Sequence, residues 1–100
     1  MNESRLKLKE DYTIIQSNGF VVDLVIHQDD NNNLNGSASI RNTTTTGTLK
    51  GYVDGKQVVF QITWSGGLIG EYDGMINREL RIYGIGIDIK NNVLAMWSSI

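Results

Sequence analysis

The chain contains no cysteine, no proline and a single histidine among its 100 residues. The missing cysteine excludes a disulfide framework, a thiol nucleophile and a thiolate metal site. With no proline, every strand can be continuously hydrogen-bonded. The lone imidazole, His27, has Asp29 and Asp30 close behind it. A metal centre needs three or four converging ligands, so this trio reads as a solvated loop, and neither a metal nor another cofactor is expected. Charge of one sign is scarce as well. Nine Lys and Arg stand against eleven Asp and Glu, a formal net charge of -2. No long basic run exists to track phosphates, which argues against a nucleic-acid partner. Arg5, Lys7 and Lys9 alternate with Leu6 and Leu8, the pattern of one solvated strand face. No apolar run approaches the ~20 residues of a membrane helix, so no membrane partner is expected. Residues 1–5 lack the apolar stretch of a signal peptide. The chain is therefore expected in the cytoplasm, or outside the cell after loss of a leader.

What is present is rhythm. Hydrophobic residues make up 40% of the chain, enough for one compact domain over 1–100, and eleven glycines supply bends. Short alternating segments are cut at short intervals by Ser17-Asn18-Gly19, Asp54-Gly55, Ser65-Gly66-Gly67, Asn77-Arg78 and Asn91-Asn92. Two further polar connections lie at 28–33 and 42–46. The spacing predicts strands over 6–16 (bent near Glu10-Asp11), 20–27, 34–41, 47–53, 56–64, 68–76, 80–87 and 93–99. No segment holds a helical period. Eight short antiparallel strands in meander order are most easily closed into a small up-and-down barrel, an all-β fold. Phe20, Val22, Leu24, Ile26, Leu34, Ala38, Ile40, Val58, Phe60, Ile62, Trp64 and Tyr72 fall on the inward phase.

No constellation points to catalysis. Glu71 and Asp73 lie two apart on one strand face, but that face is opposite Tyr72 and so turned to solvent. Ser98 and Ser99 have no elbow glycines and no base in view. Gly84-Ile85-Gly86-Ile87-Asp88 lies within a strand and opens no helix, so it bends a wall rather than cradling phosphate. Asp29 to Asn33 lacks the spacing of a calcium loop. No catalytic residue is assigned, and an enzyme is not expected. Aromatics near strand ends are different in kind. Trp64, Tyr72 and Trp97 could pack a core, or could form a stacking platform for a flat ring or a sugar.

Three stretches carry a resemblance. They are Asn18-Gly19-Phe20 followed by Leu34-Asn35-Gly36-Ser37-Ala38-Ser39, Val58 through Trp64, and Gly70-Glu71-Tyr72-Asp73-Gly74. In order and spacing they resemble the avidin family, eight-stranded barrels that bind a ligand at one open end. The resemblance places Trp64 and Tyr72 on ligand-contacting aromatic positions. The family's strand-three Tyr and Ser fall on Ala38 and Ile40, and its strand-six hydroxyls on Leu68 and Gly70. Its buried Asp near the end of strand eight has no counterpart beside Met96-Trp97-Ser98. The resemblance therefore implies a ligand-capable scaffold without tight biotin binding, since unmet polar atoms of a buried urea cost ~1–3 kcal/mol each.

The expected function is a non-enzymatic binding module, with Trp64, Tyr72 and Trp97 at a barrel-mouth pocket for a small organic molecule or a glycan. The alternative is an oligomeric interaction protein with a filled core. Residues 80–87 and 93–99 favour self-association, because both of their faces are apolar. Tyr83, Ile85, Ile87, Leu94 and Met96 would then line an interface in a homodimer or homotetramer. The resemblance implies the same, since avidins associate through their later strands.

Overall fold

Alternation sets every strand. In a computed structural model, which describes residues 6–100, the elements are β1 (Asp11–Gln16), β2 (Val21–Gln28), β3 (Asn33–Ile40), β4 (Thr46–Asp54), β5 (Gln57–Trp64), β6 (Ile69–Ile76), β7 (Ile82–Asp88) and β8 (Val93–Ser99). No helix occurs among them. Each strand pairs antiparallel with its chain neighbour, and β1 pairs with β8 to close the barrel. Closure leaves no sheet edge exposed. The seam is short: Ile14, Ile15 and Gln16 face Ser99, Ser98 and Trp97. Backbone bonds from Ser17 to Met96 and from Ile100 to Thr13 extend it by one step at each end.

The turns use the residues that tolerate a left-handed backbone. Gly19, Gly55, Gly67, Asn32, Asn42 and Asn92 all have positive φ. One tight turn is shifted from the sequence expectation. Asp54 pairs with Gln57, so the two-residue loop is Gly55-Lys56 rather than Asp54-Gly55. The strand expected from residue 80 begins at Ile82. Leu80 has φ 65° and belongs to a turn in which Asn77 Oδ1 accepts the N–H groups of Glu79 and Arg81.

Residues 6–10 are not the first half of a strand. The chain bends at Glu10, as expected, but Leu8 turns into the barrel end and is 6% exposed. Gln28 holds it there: Oε1 accepts the Leu8 N–H at 2.8 Å, and Nε2 donates to the Leu6 carbonyl at 2.9 Å. Tyr12 O–H donates to the Leu80 carbonyl and accepts the Lys9 N–H. An apolar leucine gains more by capping the core than by lying on a solvated ladder, which is why the segment leaves the sheet. Lys7 and Lys9 stay exposed as expected, and Arg5 lies outside the described residues.

This plug closes the end formed by the β2–β3, β4–β5 and β6–β7 turns. Above it the inward side chains of Ile14, Leu24, Ile26, Leu34, Leu49, Val58, Ile62 and Ile82 are almost fully buried. Three residues expected in this core are not fully in it. Phe20 sits in the β1–β2 turn and is 47% exposed, while Ile40 and Trp64 are only partly buried. All three lie at the other end of the barrel, where none of the described residues forms a plug. The outer wall of β1 to β3 carries the Arg41–Asp23 pair at 2.7 Å, with Thr13 bonded to the same carboxylate.

On β7 and β8, where both faces are apolar, the inward set is Ile82, Gly84, Gly86, Ala95 and Trp97. Tyr83, Ile85, Leu94 and Met96 therefore point out and are between 45% and 67% exposed, and Ile87 is partly buried beside them. Ile85 stands directly opposite Met96, and Ile87 opposite Leu94.

Candidate functional site

The inward residues of the strands step down from the open end in register. On β5 they run Trp64, Ile62, Phe60, Val58, and on β6 Gly70, Tyr72, Gly74, Ile76. Phe60 faces Tyr72 across the ladder, and Trp97 of β8 lies in the same layer. The Phe60 and Tyr72 rings are stacked, with centroids 4.9 Å apart and planes 7° from parallel. Trp97 meets both edge-on, at 5.6 and 5.9 Å. Offset stacks and edge contacts are the favoured geometries of ring quadrupoles, so this layer forms a rigid floor.

Below the floor the barrel is filled. Above it is an open cavity of about 600 Å³. Its cause is legible residue by residue. Gly70, Gly86 and Ala95 present almost no side chain on the walls around Tyr72. A Cβ at Gly86 would stand 3.2 Å from the Tyr72 ring, and one at Gly70 only 3.0 Å from it. The phenol ring occupies the width that side chains there would need, and the space toward the mouth stays free. Around the rim stand Trp64, Phe20, Ile40, Leu68 and Val93.

A polar line runs from floor to rim. Tyr72 O–H donates to Gln16 Oε1 at 2.7 Å. Gln16 Nε2 donates to Asn18 Oδ1 at 3.2 Å, and that oxygen also accepts the Phe20 N–H. Gln16 is only 9% exposed, so its amide is fixed at both ends. Burial pushes the Tyr72 phenol up to about 12, and the Asp88 carboxylate at the rim adds in the same direction. The phenol is therefore neutral and a donor at ordinary pH. The buried Trp97 N–H has no hydrogen-bond partner among the described residues.

Trp64, Tyr72 and Trp97 thus share one cavity: Trp64 on its wall, Tyr72 and Trp97 in its floor. The sequence left the facing of Trp97 open, and the structure turns it inward at 3% exposure. Gln16, Asn18 and Asp88 line the same space and were not singled out from the sequence. Gln16 carries a signal, a polar residue on the apolar phase of β1 after Tyr12 and Ile14. The remaining candidates stand elsewhere. Glu71 and Asp73 point outward, where they accept bonds from Gln61 and Gln57. Ser99 Oγ is buried and accepts the Ile82 N–H, while Ser98 is exposed. His27 is exposed, and among the described residues no group of three or more His, Cys, Asp or Glu gathers to hold a metal ion. Asp29 accepts the N–H groups of Asn31 and Asn33 and so organises its own turn. The arrangement offers stacking surface, one fixed amide and few other polar groups. No protein-family model, no curated protein and no solved structure matches this chain.

Proposed function

We propose that this protein is a non-enzymatic binding module that holds a small organic molecule at the barrel mouth. One observation carries the reading: a cavity of about 600 Å³ stands open above an aromatic floor. Small-molecule sites are typically concave, mostly apolar and about 300–1,000 Å³, with few fixed polar groups. A flat, ring-bearing ligand fits this lining better than a glycan, whose many hydroxyls would each need a partner. The resemblance to avidins favours the same end of the barrel but not the same ligand. Ala38, Ile40, Leu68 and Gly70 offer no side-chain hydrogen bonds where that family has hydroxyls.

The test is native mass spectrometry against a set of ring-bearing small molecules, with Trp64→Ala as the paired variant. Adducts that weaken in Trp64→Ala support the reading; their absence, or adducts indifferent to the substitution, opposes it. Biotin serves as the control. Calorimetry is expected to give no submicromolar affinity, and finding one would displace the alignment of β3 and β6 on that family.

A second reading has its own observation. The exposed apolar strip of Tyr83, Ile85, Leu94 and Met96 suits a second copy of the chain, so a homodimer or homotetramer assembled through β7 and β8 is compatible with an open mouth.

A further inference from the structure

We propose that the mouth selects its ligands by charge, taking ring-bearing molecules with an ammonium head in preference to neutral ones and excluding carboxylates and phosphates. The inference rests on the reading of the cavity as a small-molecule site. It adds the ligand's electrostatic class.

Of the described residues that line the cavity, Asp88 alone is charged; none is Lys, Arg or His. Its carboxylate is fixed in the β7–β8 turn. Oδ1 accepts the N–H groups of Lys90 and Asn91 at 3.0 and 3.2 Å, and Oδ2 accepts Asn91 Nδ2 at 2.9 Å. Those bonds, the Asn91 side chain first, favour the ionised form, so the charge is in place at neutral pH. Its influence extends inward, since the same carboxylate acts on the Tyr72 phenol at the floor. Two basic residues at this end of the barrel, Arg41 and Lys90, are not among those that line the cavity. Arg41 is held by Asp23 on the outer wall at 2.7 Å. Lys90 neighbours Asp88 in sequence and acts on it, but does not line the cavity.

An anion entering this space loses its water and meets no cation among the residues that line it, while Asp88 and the electron-rich faces of the rings oppose it. An ammonium finds the opposite. It has a carboxylate at the rim and the aromatic surface of Trp64 and Phe20 beside the same opening. The charged head then stays near solvent while the ring descends to the floor.

The experiment uses one ring with three heads: 1-naphthylmethylamine, 1-naphthalenemethanol and 1-naphthylacetic acid, titrated by calorimetry at pH 7 and low salt. The amine is expected to bind about fivefold tighter than the alcohol, and the acid weaker than the alcohol by at least as much. In Asp88→Asn, which keeps an oxygen to cap the turn, the amine should lose its advantage over the alcohol. In Lys90→Gln the advantage of the amine should widen. An acid that binds as tightly as the amine overturns the proposal. So does an amine-to-alcohol ratio that Asp88→Asn leaves alone. Binding of the alcohol in either case keeps the small-molecule reading standing, whereas no heat from any of the three at millimolar concentration removes that reading and this one with it.

Discussion

Trp64 and Phe60 lie two inward steps apart on β5, beyond Ile62, yet they do different work. Phe60 is 1% exposed and stacked on Tyr72, so Phe60→Ala is expected to cost about 3–5 kcal/mol in a denaturant titration. Trp64 is only partly buried at the rim, and Trp64→Ala should cost about 1–2 kcal/mol. Equal losses would mean that the mouth is closed in solution. A period of two reveals which face a residue is on but not how deep it lies. That is why Phe20, Ile40 and Trp64 read as core from the sequence although they ring the opening. Tyr72 makes the residue scale sensitive to alkali. Its folded pKa, about 12, exceeds the ordinary tyrosine value of 10.0. The folded state thus holds its proton more tightly, and the associated stability is intact below pH 10 and lost as pH rises from 10 through 12. The loss should reach about 2–3 kcal/mol. Urea titrations across that range should show it, and Tyr72→Phe should flatten the curve. The buried Tyr12 phenol is shifted upward too, so a smaller slope should persist in the variant.

Among the elements, the segment before β1 departs most from its sequence. Leu6 and Leu8 alternate with basic residues as a strand would, and nothing local says that the chain leaves the ladder. The reason is long-range: Gln28, on another strand, offers both an acceptor and a donor to the passing backbone. Leu8→Ala is expected to cost about 2–4 kcal/mol and Gln28→Ala about 1–3 kcal/mol. Hydrogen exchange separates their effects. Gln28→Ala should speed exchange at the Leu8 amide more than at Ile62 or Phe60, because the plug opens without the barrel. Equal acceleration at all three would make the plug part of one cooperative unit. The other strands were readable to within about two residues, because each combines strict alternation with Gly or Asn at its ends. β7 and β8 were readable as strands but not as faces. Apolar residues on both sides silence the alternation; a side chain at Gly86 would meet the Tyr72 ring, and one at Gly84 the β6 backbone at Asp73 and Gly74.

At the scale of the molecule, that same ambiguity leaves an apolar strip in water. Burying ~600 Å² of it per subunit would contribute on the order of 15 kcal/mol before association costs. Light scattering at tens of micromolar should therefore return more than one subunit mass, and Ile85→Lys should lower it. A wild-type chain of one subunit mass, or a variant that assembles as before, counts against this surface. The barrel also has a direction. Asp11, where β1 begins, and Ser99, where β8 ends, are both at the plugged end, and the cavity opens at the other. A linker fused after Ile100, whose N–H bonds the Thr13 carbonyl, would hang from the blind side. Copies anchored to a bead or a sensor through such a linker would all stand with their openings toward the sample, an orientation that chemical coupling through scattered lysines could not give.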